Sequence, residues 1–395
     1  MERMLRFVSK KLLAKDRYLF VDLFSDFKAV MDGEGVKLVN QVFSKQGRDL
    51  NNAEANIANA LIANRILATT ADLAGYKPPE LRDQSLLSRV EIEVTQQCNL
   101  ACLHCFTEKT KQSFDIRLLE KNLGELEKLG VVEVILNGGE IFLHQRIAEI
   151  LDLLNRRFKI ILFSNGTIDY TVAVASKYNI ARINISLDGF KESHEYLRGP
   201  GTYEKTVRTI QELIQKNIAV QINCVVYPQN IDDLEKFIHF CRDTLHVQSI
   251  KLATIYPLGE AAHHAELFTD NRLSKAIFDQ YFHEAFPNFG TGQYLPCMAG
   301  VTKLSINARG EVYPCRLFEA PEFIMGALTH ASLGQIYHEF LVADNFFTRF
   351  TLDNIPECKI CPALSQCKTG CRARAHILQK SLTSPDKFAC KHYLG

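Results

Sequence analysis

Cysteine spacing is the feature that most constrains this chain. Ten of the twelve cysteines in its 395 residues fall into two blocks. The first is a short loop, Cys98-x3-Cys102-x2-Cys105, and the second is a C-terminal array of Cys297, Cys315, Cys358, Cys361, Cys367, Cys371 and Cys390. Three thiolates in one tight loop can hold three irons of a four-iron cluster, which leaves the fourth iron free to bind a small molecule. The spacing therefore predicts iron–sulfur redox chemistry.

The composition limits the class of protein. At 395 residues, with 47% hydrophobic and 23% charged residues, the chain is expected to form one large domain with smaller ones attached. The formal net charge of +1 gives no basic excess for nucleic acid. The charged N-terminus does not fit a signal peptide and no run is long enough to span a membrane, so we expect a soluble, cytoplasmic protein with no membrane partner. In a reducing cytoplasm, clustered cysteines favour metal binding over disulfides.

Alternating strand and helix patterns fill the middle of the chain. The predicted strands are Val90–Thr95, Val132–Gly138, Lys159–Asn165, Arg182–Gly189, Ala219–Tyr227 and Ser249–Pro257. The predicted helices between them include Leu118–Leu129, Ile147–Arg157, Tyr203–Lys216 and Ile231–Thr244. Serial β/α units predict an α/β fold whose parallel sheet of apolar strands is covered on both faces and curls into a barrel or a partial barrel. An active site is then expected at the carboxyl ends of the strands.

Polar and glycine residues lie at those strand ends. The cysteine loop Cys98–Cys105 follows the first predicted strand, and Asn137–Glu140 closes the second. Ser164–Thr167 closes the third strand and Ser186–Gly189 closes the fourth. Because the carboxyl ends of parallel strands meet at one edge of the sheet, the four loops predict a single site.

These residues resemble the radical S-adenosylmethionine (SAM) superfamily. Its CxxxCxxC loop matches Cys98, Cys102 and Cys105, and its GGE motif matches Gly138–Glu140. The resemblance covers about Val90 to Phe286, within a barrel domain predicted at residues 86–286. His104 departs from the aromatic residue that the family commonly has before the last cysteine of the loop, and packing over the cluster is the expected role of His104 or of Phe106.

The resemblance implies a cofactor and a mechanism. The open iron would bind the amino and carboxylate groups of SAM. One electron, supplied by an external donor of the flavodoxin or ferredoxin type, would cleave SAM to a 5′-deoxyadenosyl radical. The implied SAM contacts are Gly138, Gly139 and Glu140 for the amino group, Ser186 and Arg198 for the carboxylate, and Asn165 and Asn223 for the ribose or adenine. For Arg198, a surface salt bridge is the competing interpretation.

The C-terminal array, together with Gly310 five residues before Cys315, resembles the SPASM extension of radical SAM enzymes. Taken alone, the spacing from Cys358 to Cys371 also fits a structural zinc site. The resemblance covers about Pro296 to His392, within a domain predicted at residues 287–395, and implies two auxiliary four-iron clusters. The implied ligands are Cys297, Cys315 and Cys371 for the first, and Cys358, Cys361, Cys367 and Cys390 for the second.

The first auxiliary set is one thiolate short. Its fourth iron is either open to substrate or solvent, or held by another side chain. Cys224 and Cys241 are the only spare cysteines. Both lie in apolar segments and are expected to be small buried hydrophobic residues.

Residues 1–77 do not continue the barrel pattern. Predicted strands at Tyr18–Leu23, Phe27–Met31 and Val36–Val42, with a hairpin turn at Asp32–Gly35, precede a predicted helix at Asn52–Leu67 and a linker at Tyr76–Pro79. Strands followed by a helix, ahead of a radical SAM barrel, resemble the PqqD-like winged-helix-like α+β domain that recognises precursor peptides. That resemblance implies that a leader peptide adds a strand at the edge near Val36–Val42, beside the helix. A domain that only packs on the barrel or mediates dimerisation is the competing interpretation.

Two auxiliary clusters imply a net two-electron oxidation, because a substrate radical that forms a new bond must lose another electron and a proton. We therefore predict a maturase that installs a carbon–carbon, thioether or ether crosslink in a ribosomally made precursor peptide. Asp188, Tyr256 and Glu260 lie near the barrel ends, and none is ranked as the proton acceptor. The alternatives are oxidation of a cysteine or serine in a protein, as in sulfatase maturation, and a non-catalytic zinc-rich adaptor.

Overall fold

Two β-sheets organise the part of the chain that this computed structural model describes. The described residues are 5–9, 18–22, 28–31, 33–46, 48–63, 80–82, 87–247, 249–268, 297, 299–350, 352–367 and 369–394. The smaller sheet contains β1 (Leu5–Ser9), β2 (Tyr18–Asp22), β3 (Lys28–Met31) and β4 (Glu80–Arg82), in the order β3-β2-β1-β4. The larger sheet contains β5 (Arg89–Thr95), β6 (Glu133–Gly138), β7 (Lys159–Ser164), β8 (Ile180–Ser186), β9 (Val220–Val226), β10 (Ser249–Thr254), β11 (Lys303–Ile306), β12 (Glu311–Tyr313) and β13 (Gly326–Ala327), in the order β10-β9-β8-β7-β6-β5-β11-β12-β13.

The small sheet differs from the prediction in three strands. The strands predicted at Tyr18 and Phe27 are present as β2 and β3, whereas β1 and β4 were not predicted. The predicted strand Val36–Val42 is wrong, because these residues lie in a helix, α1 (Gly33–Ser44), which also replaces the predicted hairpin turn. Val36, Val39, Val42 and Phe43 are all buried, and their spacing of three and four residues is helical rather than alternating.

The second helix, α2 (Asn52–Ala63), begins where it was predicted. A capping box sets this start, since Asn51 Oδ1 accepts a hydrogen bond from Glu54 N at 3.0 Å and Glu54 Oε2 accepts one from Asn51 N at 2.9 Å. Lys45 pairs with the same carboxylate at 2.7 Å. Residues 64–67 of the predicted helix and the predicted linker Tyr76–Pro79 lie outside the described residues.

Six parallel strands, β5 to β10, form the predicted partial barrel. All six predicted strands are confirmed, each to within three residues at either end. The helices that accompany them are α3 (Ile116–Lys128), α4 (Ile147–Leu154), α5 (Thr171–Ala175), α6 (Lys191–Arg198), α7 (Thr202–Gln215) and α8 (Leu234–His239). Helix α3 shows an N-terminal cap and an amphipathic pattern. The Asp115 side chain accepts a hydrogen bond from Arg117 N, and one face of the helix is buried through Leu119, Leu123 and Leu126.

The two faces of strand β5 differ in polarity. In β5, Val90, Ile92 and Val94 are at most 1% exposed and belong to the hydrophobic core. The alternate residues Arg89 and Glu91 line an interior cavity instead. Because side chains alternate between the two faces of a strand, the hydrophobic residues of β5 lie under the helices and its charged residues face the barrel interior.

The C-terminal region continues the barrel sheet. Strand β11 pairs in parallel with β5, and β12 and β13 follow it as antiparallel strands. Beyond them lie α9 (Leu333–Val342), α10 (Phe346–Arg349), α11 (Pro356–Lys359), α12 (Leu364–Cys367), α13 (Arg372–Gln379) and α14 (Lys387–Leu394). The pairing of β11 with β5 brings the first part of the C-terminal cysteine array beside the barrel. None of the described helices is both long enough and apolar enough to cross a bilayer.

Candidate functional site

A cavity of about 510 Å³ opens at the carboxyl ends of the barrel strands. Cys98, Cys102 and Cys105 form part of its wall, and Cys315 of the C-terminal array lines the same space. Five of the predicted SAM contacts also line it, namely Gly138, Gly139, Asn165, Ser186 and Arg198. The cavity therefore brings the cysteine loop, one cysteine of the C-terminal array and five of the predicted SAM contacts together in one chamber.

The two glycines of the GGE segment allow the cysteine loop to approach the end of β6. Gly139 N donates a hydrogen bond to Thr95 O at 2.7 Å, and Glu140 N donates one to Gln97 O at 2.8 Å. A Cβ atom on Gly138 would lie 2.2 Å from Thr95 O, and one on Gly139 would lie 2.2 Å from Gln97 O. Both contacts are with backbone, which cannot move aside as a flexible side chain can. The glycines thus fix the start of the cysteine loop, a role that the sequence analysis did not assign to them.

Glu140 joins the ends of β6 and β7. Its carboxylate is fully buried and accepts hydrogen bonds from Ser164 Oγ at 2.9 Å and Asn165 N at 2.7 Å. Burial raises the pKa of Glu140 to about 7, although these hydrogen bonds act in the opposite direction. Glu140 does not line the cavity, so the structure gives it a positioning role, and direct contact with SAM stays a prediction.

Arg198 lies beside the cysteine loop in a buried ion pair. Its Nε donates to Asp188 Oδ2 at 2.5 Å, and its Nη1 lies 3.9 Å from Cys102 Sγ. The side chains are 9% and 0% exposed, so the alternative of a surface salt bridge is wrong. Burial raises the pKa of Asp188, but the Arg198 charge, the nearby His104 and His194 and the hydrogen bond from Val225 N together keep that pKa below its usual value. Asp188 also accepts a hydrogen bond from Val225 N, so it is an anchor for Arg198 rather than a free proton acceptor.

The remaining predicted residues divide between the wall and its supports. Asn165 Nδ2 donates to Asn99 Oδ1 at 3.0 Å and lies 3.9 Å from Cys98 Sγ, whereas Asn223 does not line the cavity. His104 is enclosed next to Arg198, and burial lowers its pKa to about 4, so the imidazole is neutral. Cys224 and Cys241 are confirmed as fully buried members of the core.

The loop after β10 holds the other side of the cysteine loop. Glu260 N donates to Cys105 O at 2.8 Å, and a Cβ atom on Gly259 would lie 2.6 Å from the same oxygen. Gly259 adopts a φ of +56°, which glycine tolerates best. This glycine was missed by the sequence analysis, although a glycine just after a barrel strand is the same signal that identified Gly138.

Arg316 is the main residue of the site that the sequence analysis missed. It follows Cys315 directly and lines the cavity. Its guanidinium donates to Asn137 Oδ1, to Thr107 Oγ1 at 2.9 Å and to Glu93 Oε1 at 3.3 Å. It also stacks over the Phe106 ring at 5.2 Å. One side chain therefore connects the C-terminal array to the cysteine loop, to the residue before the GGE glycines and to a buried carboxylate of β5.

The three cysteines of the first auxiliary set come together. Cys297, Cys315 and Cys371 pack against one hydrophobic cluster that includes Phe318 and Phe347. Burial raises the pKa of Cys297, and it raises that of Cys315 to about 12. Neutral thiols are favoured there unless a metal stabilises the thiolates, which fits a cluster site.

The four cysteines of the second set line one small apolar cavity. Cys358, Cys361, Cys367 and Cys390 share this cavity with Ala363, Leu364, Thr369, Tyr393 and Leu394. Four thiols around one space can hold a cluster, or the zinc ion that the spacing also allowed.

Comparison with known proteins agrees with this arrangement. Residues 92–241 match the radical SAM superfamily, and residues 297–362 match the SPASM iron–sulfur cluster-binding domain. The antilisterial bacteriocin subtilosin biosynthesis protein AlbA of Bacillus subtilis is 28% identical over 63% of this chain and 59% of its own length. The chain thus spans less than two thirds of that relative. Mycofactocin maturase MftC of Mycolicibacterium smegmatis is 24% identical over 74% of this chain and 80% of its own length.

Solved structures show the same fold. Streptococcus suis SuiB bound to S-adenosylmethionine superposes with a TM-score of 0.66 at 16% identity and covers 98% of both chains. Native anSMEcpe with bound AdoMet superposes with a TM-score of 0.61 at 19% identity over 78% of this chain. With both domains identified, SAM and iron–sulfur clusters are the cofactors, and the zinc-rich adaptor is set aside. The chain contains a radical S-adenosylmethionine domain and, C-terminal to it, a SPASM domain.

Proposed function

We propose that this protein is a peptide maturase that removes two hydrogen atoms from a ribosomally made precursor peptide and joins two of its side chains. When its cluster and SAM are bound, the radical SAM domain supplies a 5′-deoxyadenosyl radical, which takes one hydrogen atom from the substrate. Gly138, Gly139, Asn165, Ser186 and Arg198 line the space where SAM would lie against the cysteine loop. Glu140 and Asp188 hold that wall in place from behind.

The observation that carries the proposal is the shared cavity. Cys315, from the first auxiliary set, lines the same chamber as Cys98, Cys102 and Cys105. A substrate in this chamber lies within reach of both centres. Bond formation would remove a second electron and a proton from the substrate radical, and Cys315 is among the residues that would hold the auxiliary cluster that accepts this electron. The balance is the loss of two hydrogen atoms, one to the 5′-deoxyadenosyl radical and one as a separate electron and proton.

The relatives support a peptide as the substrate. AlbA is named for subtilosin biosynthesis, MftC is a mycofactocin maturase, and SuiB has been solved bound to its precursor peptide SuiA. The SuiB–SuiA structure superposes with a TM-score of 0.66 and covers 98% of this chain. By analogy with them, the charged barrel interior would receive peptide side chains. We place the protein in the cytoplasm, with a flavodoxin or ferredoxin as the electron donor.

The N-terminal sheet is the proposed leader-binding element. Its strand order, β3-β2-β1-β4, leaves β3 and β4 at the edges within the described part of the sheet. Strand β3 leads into α1, so a leader peptide added as a strand at β3 would lie near that helix. This matches the predicted binding mode, in which the peptide pairs with a sheet edge beside a helix. Because Val36–Val42 is helical, β3 takes the place of the edge that was predicted there.

The test is anaerobic incubation of the reconstituted enzyme with SAM, dithionite and the peptide encoded by a short open reading frame beside the gene. We expect 5′-deoxyadenosine and a peptide lighter by two hydrogens, with tandem mass spectrometry locating a crosslink. A variant lacking residues 1–77 serves as the matched control. It should still cleave SAM but should modify the full precursor far more slowly.

Three outcomes would redirect the proposal or reject a part of it. Oxidation of a single cysteine or serine, with no crosslink, would favour the sulfatase-maturase alternative. Peptide that stays unmodified while 5′-deoxyadenosine forms would show that the peptide is not the substrate. Equal modification with and without residues 1–77 would reject the leader-binding role alone.

A further inference from the structure

A fully buried arginine lies within the auxiliary region. Arg372, the first residue of α13, is 0% exposed. Its Nη1 donates to Ser384 O at 2.6 Å and to Leu382 O at 3.2 Å, and its Nη2 donates to Thr369 O. Its Nε has no hydrogen-bond partner within the part of the chain that the structure describes. The guanidinium is therefore hydrogen-bonded only to backbone carbonyls among the described residues, and it lies over the Phe350 ring at 5.9 Å.

The nearest carboxylate is already paired with another arginine. Asp386 is 1% exposed, and its Oδ2 lies 2.5 Å from Arg374 Nη2. The same oxygen accepts a hydrogen bond from Cys371 N at 2.8 Å. No carboxylate among the described residues comes within ion-pair distance of Arg372. Because a buried charge is costly unless it is compensated, and Asp386 is shared with Arg374, this carboxylate compensates the charge of Arg372 only in part.

The groups around Arg372 are the auxiliary cysteines. Arg372 directly follows Cys371, a member of the first set. Phe350, the ring beneath the guanidinium, packs in one hydrophobic cluster with Cys297 of the first set and Cys358 of the second. The buried cation therefore lies in the packed region that contains cysteines of both sets.

We propose that Arg372 is a shared electrostatic positioning residue for the two auxiliary clusters, and that its charge raises the reduction potential of both. A cluster ligated by thiolates becomes more negative when it gains an electron, and a fixed cation nearby stabilises the reduced form. The effect is large in a buried site because the surroundings screen poorly. Arg372 would therefore help the auxiliary pair to accept the electron that leaves the substrate.

The test is a reductive titration of the anaerobic holoenzyme, followed by electron paramagnetic resonance. Addition of SAM identifies the radical-generating cluster, because only that cluster binds it, and the other signals belong to the auxiliary pair. Arg372→Gln should lower the reduction equilibrium constant of at least one auxiliary cluster tenfold or more, which corresponds to about 59 mV for one electron. Arg372→Lys, which keeps the charge, should stay within about threefold of the wild type.

The matched control removes a neutral buried pair. The double variant Arg374→Gln, Asp386→Asn deletes one cation and one anion, so it should leave both auxiliary potentials within about threefold of the wild type. The proposal is wrong if Arg372→Gln retains its iron with unchanged potentials. It is equally wrong if the double variant shifts them as much, because packing would then explain the change.

A further variant covers the case in which Arg372→Gln does not hold its clusters. In Arg372→His the charge depends on pH, and the auxiliary potentials should rise relative to those of the wild type as the imidazole becomes protonated. A difference from the wild type that does not vary with pH would show that the charge has no role. The potential depends on the clusters and not on the substrate, so neither experiment needs a peptide.

Discussion

Replacement of Gly139 by alanine tests how the cysteine loop is positioned. The added Cβ atom would lie 2.2 Å from Gln97 O, 2.7 Å from Gln97 C and 2.9 Å from Gln96 O. All three are backbone atoms, so the loop itself must move away from the end of β6. Overpacking typically costs about 1–3 kcal/mol, and each lost backbone hydrogen bond adds about 0.5–1.5 kcal/mol. The bonds at risk are Gly139 N to Thr95 O and Glu140 N to Gln97 O.

The overpacking and the two lost hydrogen bonds together would cost about 2–6 kcal/mol of stability, and movement of the cysteine loop would reduce this cost. Movement displaces the cysteine ligands, so we expect Gly139→Ala to lose iron from the radical cluster and to form 5′-deoxyadenosine at least tenfold more slowly. The assay is iron analysis with anaerobic SAM cleavage. Gly124→Ala is the control, because that glycine lies in α3 with no atom within 4 Å of the added Cβ and should be neutral or stabilising. Wild-type iron content and SAM cleavage in Gly139→Ala would refute the reasoning.

Three further predictions concern charged and cysteine residues. Arg316→Gln should lower the free energy of unfolding by about 3 kcal/mol, because it leaves the buried Glu93 carboxylate without its cation. Chemical denaturation measures this loss, and adding Glu93→Gln should restore part of the lost stability. Arg198→Lys should weaken SAM binding, although the side chains are similar in size, because one ammonium group cannot both pair with Asp188 and face the cavity. Isothermal titration calorimetry measures the affinity for SAM, and an affinity equal to that of the wild type would contradict the prediction. Cys358→Ala should lower iron while leaving SAM cleavage intact and reducing peptide crosslinking, and full crosslinking would argue against an electron-transfer role for the second set.

Most of the barrel could be predicted because its information is local. Runs of β-branched residues and glycines at strand ends identified β5 to β10 and placed Cys98 beside Gly138. The charge on the inner face was also present in the alternation of Arg89, Glu91 and Glu93 with valine and isoleucine. The apolar content of the strands concealed it, because composition does not distinguish the two faces.

The errors arose where a contact is non-local. Val36–Val42 contains four apolar residues at helical spacing, but its short length allowed a strand as well. Arg316 belongs to the site only because β11 pairs with β5, and no local pattern predicts that pairing. Arg372 is likewise fixed by carbonyls of residues 369, 382 and 384, which come together only in the folded chain.

The transfer of hydrogen from peptide to SAM is the most direct test of the account. The precursor peptide is prepared with deuterium in its side chains and incubated anaerobically with enzyme, SAM and dithionite. The account predicts one deuterium in each 5′-deoxyadenosine released, and one 5′-deoxyadenosine for each peptide that loses two hydrogens. Modified peptide with 5′-deoxyadenosine that carries no deuterium, or peptide that remains unchanged beside active SAM cleavage, would contradict it.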